Sequence, residues 1–251
     1  SFTSGLSYSQ EQKPTGWGTG ENGKEIKFSP DGSKLYFNCY SDRRPAQFSL
    51  STNWDITSAT LDGDLYVDHD TAPISTTSLI FDVAMDGYHI LYGDRENLSV
   101  WKTSTKWDFS GNGTLTKIWD NYNSYTSSNL QCAGFTGDLK GIWVYGRSTD
   151  RLQLYTTATE LDYANLGTSP DFDATTFFDG GGTTSNIYGM VMSGDGGAII
   201  RNDYSDGYTS YVVGLSTAYD LRSFNSSSYS VTNSGVASQG NMGITIVRPG
   251  G

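Results

Sequence analysis

Residues 51–55 read Ser-Thr-Asn-Trp-Asp, and residues 104–108 read Ser-Thr-Lys-Trp-Asp. The pattern returns with a different large apolar residue as Ala-Thr-Glu-Leu-Asp at 158–162 and Ser-Thr-Ala-Tyr-Asp at 216–220. Successive Asp residues of this motif are 53, 54 and 58 positions apart. A motif that recurs at a nearly constant spacing of this length is typical of tandem supersecondary repeats.

A second motif, an Asp/Gly turn, has the same period. It reads Ser-Pro-Asp-Gly at 29–32, Met-Asp-Gly at 85–87, Thr-Gly-Asp at 136–138 and Ser-Gly-Asp-Gly at 193–196. Its Asp residues are 55, 52 and 57 positions apart. Asp and Gly tolerate left-handed backbone, so each turn predicts a tight β-hairpin.

Four short strands are predicted in each repeat, and no segment of helical period is longer than two turns. The predicted strands are 25–29, 34–40, 46–50 and 64–68; 79–84, 88–93, 98–102 and 115–119; 131–135, 141–145, 152–155 and 174–178; 188–192, 198–201, 211–215 and 228–231. Tandem four-stranded units predict an all-β fold, a β-propeller, because a single blade cannot bury both of its faces. We predict one domain, 1–251, with repeats at about 20–75, 76–128, 129–185 and 186–235.

The two ends also match the repeat. Residues 1–15 align with a fourth strand, and residues 236–251 align with a first strand that stops at its hairpin turn. Two arrangements fit: four complete blades with accessory end strands, or a five-bladed ring whose last blade is completed by another chain.

The composition and net charge of the chain limit the classes of partner that are expected. The chain has 251 residues, a net charge of −11, 14% aromatic residues and 30 Gly. An acidic surface repels phosphate backbones, so we expect no nucleic-acid partner. No apolar run is long enough for a membrane-spanning helix, so no membrane insertion is expected. No signal peptide is expected either.

The hairpin sequence Ser-Pro-Asp-Gly-Ser-Lys-Leu-Tyr-Phe at 29–37 resembles the first hairpin of propellers of the TolB and YVTN type. Residues 48–60 are similar to a repeat found in surface propellers of tailed phages and some secreted bacterial proteins. The resemblance implies a binding or structural module displayed on a particle or cell surface. Leu161 and Tyr219 replace the Trp in the third and fourth units, so no residue roles are carried over.

The repeated Asp residues favour a structural interpretation. We expect Asp55, Asp108, Asp162 and Asp220 to cap the turn between the third and fourth strands by accepting backbone N–H groups. We expect the preceding aromatic residues, such as Trp54 and Trp107, to fill gaps between blades.

The loops between second and third strands carry the candidate ligand-binding residues. Propeller geometry places these loops on one face, where guanidinium, carboxylate and Tyr groups suit sugar hydroxyls or a protein partner. The alternative is solvated ion pairs of little energetic weight. The candidates are Arg43, Asp94, Arg95, Arg147, Asp150, Arg151, Asp203, Tyr204 and Asp206.

No catalytic residue, cofactor or metal site is predicted. The densest acidic cluster spreads along a strand instead of converging as a calcium site requires. No Gly-x-Ser-x-Gly elbow occurs, and His89 is expected to be structural. The cluster comprises Asp62, Asp64, Asp68, His69 and Asp70.

These observations favour a non-enzymatic structural or surface-binding protein, foremost a phage virion component that decorates a capsid or tail and contacts the host surface. The expected partners are other virion proteins or a host-surface glycan or protein, with homo-oligomer formation as a further option. The expected location is the virion surface, with secretion or the cell surface as the alternative. A lectin-like glycan-binding propeller is the alternative function, and a carboxylate-based glycoside hydrolase is a third.

Overall fold

The computed structural model describes residues 23–39, 45–64, 80–94, 96–110, 115–121, 130–146, 151–175, 187–203, 209–223 and 229–232. These residues form four antiparallel four-stranded sheets arranged as a four-bladed β-propeller. The predicted fold is therefore confirmed. The predicted end strands, 1–15 and 236–251, lie outside the described residues.

Each blade uses four strands that are consecutive in sequence and in space. Blade 1 contains β1 (Gly23–Phe28), β2 (Lys34–Cys39), β3 (Pro45–Leu50) and β4 (Ala59–Asp64). Blade 2 contains β5 (Ile80–Val83), β6 (His89–Gly93), β7 (Leu98–Lys102) and β8 (Thr116–Asn121). Blade 3 contains β9 (Leu130–Phe135), β10 (Gly141–Gly146), β11 (Arg151–Thr156) and β12 (Phe172–Thr175). Blade 4 contains β13 (Ile187–Met192), β14 (Ala198–Asp203), β15 (Thr209–Gly214) and β16 (Tyr229–Thr232).

The first strands of consecutive blades lie side by side, β1 next to β5, β5 next to β9 and β9 next to β13. Three of the four apolar clusters among the described residues lie between blades, as stacking of half-buried sheets requires, and the fourth is formed by blade 1 alone. Blades 2 and 3 share the largest cluster, which includes Val100, Trp119, Val144 and Tyr155. Blades 3 and 4 share a second one, which includes Trp143, Leu154, Met190 and Val213.

The fourth strand of blade 1 lies earlier than predicted. The sequence predicted 64–68, whereas β4 runs from Ala59 to Asp64. One 3₁₀ turn, Ile56–Ser58, is enough to reverse the chain after Asp55, so the strand begins at once. Similar 3₁₀ turns, Tyr163–Asn165 and Leu221–Ser223, connect the third and fourth strands of blades 3 and 4.

Candidate functional site

The predicted ligand-binding residues that the structure describes lie where second and third strands connect, at the end of the propeller opposite the Asp/Gly hairpins: Asp94 directly follows β6, and Arg151 is the first residue of β11. The structure describes the side chains of two of them, Asp94 and Arg151. Asp203 is the last residue of β14, and only its backbone is described. The remaining candidates lie outside the described residues: Arg43, Arg95, Arg147, Asp150, Tyr204 and Asp206.

Asp94 is buried, with 4% of its surface exposed, and it organises the turn between β6 and β7. Its Oδ1 accepts the backbone N–H groups of Glu96 and Asn97, both at 2.8 Å. The side-chain amide of Asn97 donates to both carboxylate oxygens, at 3.0 and 3.2 Å. These bonds give Asp94 a structural role in the turn, and its role in ligand binding stays a prediction.

Arg151 forms a forked ion pair with Asp173 across the neighbouring strands β11 and β12. Its Nε lies 2.9 Å from Asp173 Oδ1, and its Nη2 contacts Oδ2. The hydrogen bond that Arg151 donates to the Asp173 carboxylate raises the pKa of Arg151 above its ordinary value. The pair is about one-third exposed, so it contributes little to stability, and its use by a ligand stays a prediction.

The opposite end of the propeller is built from four equivalent Asp turns. In each hairpin the Asp carboxylate accepts the N–H of the residue two positions on, which is the geometry of an Asx turn. In blade 1, Asp31 Oδ1 also accepts the hydroxyls of Ser29 and Ser33, at 2.6 and 2.8 Å. The four backbone bonds are Ser33 to Asp31 (3.1 Å), Tyr88 to Asp86 (3.0 Å), Lys140 to Asp138 (3.1 Å) and Gly197 to Asp195 (3.1 Å).

Three of the four repeated Asp residues cap the connection between third and fourth strands, as predicted. Asp55, Asp108 and Asp220 each accept the N–H of the residue two positions on, at 2.9 to 3.1 Å. Asp162 differs, because its carboxylate accepts the side-chain amide of Asn165, at 2.8 Å, and caps no backbone N–H of the described turn. The blade 3 motif is therefore degenerate at this position too.

The residue before each of these Asp residues has left-handed backbone. Trp54, Trp107, Leu161 and Tyr219 have φ between 60° and 66°, a conformation that large side chains rarely adopt. In each blade the N–H of this residue donates to the carbonyl of the last turn residue of the first hairpin, at 2.8 to 3.0 Å. We call this pair of residues the clasp. The clasps are Gly32 with Trp54, Gly87 with Trp107, Leu139 with Leu161, and Gly196 with Tyr219.

The side chains of the clasp explain which residues occur there. A Cβ added to Gly32, Gly87 or Gly196 would lie closer to the facing aromatic ring than the 3.0 Å that real Cβ atoms keep. In blade 3 the turn residue is Leu139, at φ 58°, and its partner is the smaller Leu161.

The prediction that the aromatic residues fill gaps between blades is correct only in part. Each ring lies on the glycine of its own blade, and Trp54 is 41% exposed. Trp107 and Tyr219 also border the clusters shared with the preceding blade. The rings lie on the hairpins of their own blades because the left-handed backbone turns them in that direction.

We define the hairpin face as the first hairpins and the connections between third and fourth strands, which lie at one end of all four blades. It carries ten carboxylates and three basic side chains, a net charge of −7 out of the −11 of the whole chain. Its exposed large hydrophobic side chains are Trp54 (41%), Met85 (54%), Tyr88 (37%) and Leu161 (39%). The face spans residues 29–33, 51–58, 84–88, 103–110, 136–140, 157–171, 193–197 and 215–223.

His89 is buried between blades 2 and 3, in agreement with the predicted structural role. Its Nδ1 lies 2.6 Å from Asp86 Oδ2, and its ring meets the ring of Tyr163 edge-on at 5.1 Å. Burial would raise the pKa of Asp86, but the hydrogen bonds from His89 and the Tyr88 N–H lower it below its ordinary value. The Tyr163 hydroxyl is fully buried and has no hydrogen-bond partner among the described residues, and burial raises its pKa.

A chain of polar contacts links the first strands of blades 1, 2 and 3. Glu25 accepts the N–H of Phe81 at 2.8 Å. Lys27 Nζ lies 3.0 Å from Asp82 Oδ1, and Asp82 Oδ2 accepts the N–H of Phe135 at 2.9 Å. Burial would lower the pKa of Lys27, but Asp82 and Glu25 raise it above its ordinary value. These polar contacts join blades 1, 2 and 3, and the carboxylates of Glu25 and Asp82 are both occupied by them.

Within the described ranges, no group of three or more His, Cys, Asp or Glu side chains is arranged to hold a metal ion. Asp62, from the predicted acidic cluster, instead accepts hydrogen bonds from Lys34, Gln47 and Ser49 at 2.8 to 2.9 Å. Asp64 ends β4, and Asp68, His69 and Asp70 lie outside the described residues.

In the same described ranges, no helix has the length and apolar character to cross a membrane.

Comparison with solved structures supports the propeller fold. A putative 6-phosphogluconolactonase from Bacteroides fragilis is 13% identical, aligns over 84% of this chain and 55% of its own, and gives a TM-score of 0.56. U3-55K is 10% identical, aligns over 85% of this chain and 53% of its own, and gives a TM-score of 0.52. The chain spans about half the length of these proteins, and at such low identity the likeness shows the fold alone.

No protein-family model and no curated protein sequence matches the chain. The fold and its fourfold repeat define a β-propeller. The resemblance to TolB-type and phage propellers stays a prediction.

Proposed function

We propose that this propeller is a non-enzymatic binding and structural protein at the surface of a particle, a phage virion in the first instance. Its partners would be other virion proteins, further copies of itself, or a glycan or protein of the host surface. The observation that carries the proposal is the hairpin face, where clasped backbone holds exposed side chains such as Trp54 and Leu161 in fixed positions.

The described carboxylates in the interior support a non-enzymatic role. Asp82, Asp86 and Asp94 each accept a backbone N–H and also contact a basic, imidazole or amide side chain. Groups held in this way stabilise loops and blade contacts. A general acid or nucleophile needs instead to face a cleft where its side chain can reach a substrate.

Two measurements test this proposal. Antibodies against the chain should label purified phage particles on the capsid or tail, and absence of label would contradict the virion assignment. The purified chain should show no turnover of sugar lactones or glycosides. Hydrolysis at about 1 per second or faster, an ordinary enzymatic rate, would contradict the non-enzymatic assignment.

A lectin-like function is the second candidate, favoured by the partly exposed Arg151–Asp173 pair beside the predicted loops. Forked guanidinium and carboxylate groups suit neighbouring sugar hydroxyls. Replacing Arg151 by Ala should abolish sugar binding in a glycan panel, with Lys117→Ala, from another exposed ion pair, as the matched control. Absence of binding to every glycan would remove this candidate.

A further inference from the structure

We infer that the hairpin face binds a polypeptide segment rich in Arg and Lys, whose cationic side chains lie against the exposed ring of Trp54 and between the surrounding carboxylates. The inference rests on the proposed binding function. It adds to that function the face that is used and the chemistry of the partner.

The ring of Trp54 is fixed before any partner arrives. Its backbone is held at φ 66° by the bond from its N–H to Gly32 O, at 2.9 Å. One side of the indole rests on Gly32, and the ring of Phe28 lies 5.4 Å away. The side chain nevertheless remains 41% exposed. A rigid, exposed aromatic ring gives contact area at a low cost in conformational entropy.

The charge of the face selects a cationic occupant. Ten carboxylates against three basic groups leave a net charge of −7 on this one end of the propeller. Such a field attracts basic segments and repels nucleic acid, whose bases would otherwise also stack on Trp. The carboxylates recur in every blade, so an extended polycation engages several of them, whereas a small cation engages one or two.

The chain already places lysines over its own Trp rings. Lys106 Nζ lies 5.9 Å from the ring centroid of Trp107, and Lys117 Nζ lies 6.0 Å from that of Trp101. Both distances are within the range of cation–π attraction. Of the basic residues in the described ranges, none lies over Trp54 in this way. A partner's Arg or Lys would take the equivalent place there.

Calorimetric titration with a synthetic peptide of alternating Arg and Ser residues, at low and at high salt, tests the inference. Trp54→Gly removes the ring and suits the left-handed backbone, so the variant should fold and bind about fivefold more weakly. Glu160→Gln removes an exposed charge from the hairpin face, and binding should weaken about twofold with a shallower salt dependence.

Two matched variants serve as controls. Glu96→Gln removes the same charge at the opposite end of the propeller, and Leu61→Ala removes an apolar side chain of similar exposure from β4. Both should bind the peptide like the parent chain. Equal effects of Glu96→Gln and Glu160→Gln, or an unchanged affinity of Trp54→Gly, would overturn the hairpin face as the site.

A further outcome concerns the partner. If neutral glycans bind in a Trp54-dependent manner while the peptide does not, the cationic partner is wrong and the binding function stands. If neither binds, the inference fails. Enzymatic turnover or missing virion label would instead contradict the proposed function, so the two failures are distinguishable.

Discussion

The indole ring of Trp54 lies against the Cα of Gly32, so closely that a Cβ at position 32 would lie within 3.0 Å of the ring. Both residues have left-handed backbone, with φ 66° and 72°, and one hydrogen bond of 2.9 Å joins them. The side chain allowed at one position therefore depends on the side chain at the other.

This dependence predicts a strong coupling in a double-mutant cycle. Gly32→Ala should lower the free energy of unfolding by about 3 kcal/mol, because it adds a steric clash to an unfavourable φ. In a Trp54→Gly background the same change should cost only about 1 kcal/mol, the backbone term alone. Urea unfolding of the four variants measures the coupling. Gly214→Ala, where a Cβ meets nothing within 4 Å, is the control and should change little. Additive losses would contradict a steric clasp.

The third clasp predicts a pair of substitutions that works only together. Leu161→Trp should destabilise the chain by about 2 kcal/mol, since Leu139 occupies the space where glycine lies in the other blades. Adding Leu139→Gly should restore most of this loss, because it also removes a left-handed Leu. Thermal unfolding of the single and double variants tests the pair. A double variant less stable than Leu161→Trp alone would show that blade 3 uses a different contact.

The ion pair between Lys27 and Asp82 should contribute far more than an exposed pair. Asp82→Asn leaves Lys27 in a mostly buried place without its closest carboxylate, and we expect a loss of about 3 kcal/mol in urea unfolding. Asp120→Asn, which breaks the half-exposed pair with Lys117, should cost less than about 0.5 kcal/mol. Lys27→Met added to Asp82→Asn should recover part of the loss. Equal costs for the two Asp variants would contradict a buried link between blades.

Two buried Tyr hydroxyls should respond to the same change with opposite sign. Tyr163→Phe removes a buried hydroxyl to which no residue in the described part of the chain donates or accepts a hydrogen bond, so stability should rise by about 1 kcal/mol. Tyr36→Phe removes a hydroxyl that donates to Trp107 O at 2.8 Å, and stability should fall by about 1 kcal/mol. Denaturant unfolding of both variants gives the comparison. A loss in Tyr163→Phe would mean that a bound water satisfies its hydroxyl.

Acid should unfold the protein through its structural carboxylates. Burial would raise the pKa of Asp62, but hydrogen bonds from Lys34, Gln47 and Ser49 lower it below the ordinary 3.8. A lowered pKa gives stability that is fully present above 3.8 and is lost as pH falls through the lowered value. Unfolding free energies measured below about pH 4 should therefore fall steeply. Asp62→Asn should be about 1 kcal/mol less stable at neutral pH and should show a shallower decline in acid.

The fold was predictable because its two sequence motifs mark the positions where the chain reverses direction. The Asp/Gly turns and the repeated Asp caps both lie at chain reversals, and between them the alternating apolar runs place the strands. The first residue of β4 was not predictable, since no sequence signal before Ala59 indicates that a single 3₁₀ turn is enough to reverse the chain.

The functional interpretation was less predictable. Loop charges such as Asp94 suggested ligand contacts, but a short-range sequence pattern does not distinguish a solvated carboxylate from one buried against its own turn. The hairpin face was overlooked, although a signal was present: where the hairpin residue is Leu139 instead of Gly, the facing residue is Leu161 instead of an aromatic. That exchange within the repeat points to direct contact.

Each clasp joins two residues about twenty positions apart in one blade, never residues of different blades. The segment from the first to the fourth strand of a blade thus contains both residues of its own clasp. Gene segments cut between blades could be duplicated or exchanged without separating a matched pair, whereas a cut inside a blade that joined Leu139 to an aromatic partner from another blade would combine a bulky ring with a bulky turn residue. Inheritance of whole blades would keep both residues of a clasp together, and the pair Leu139 and Leu161 in the third blade is consistent with that.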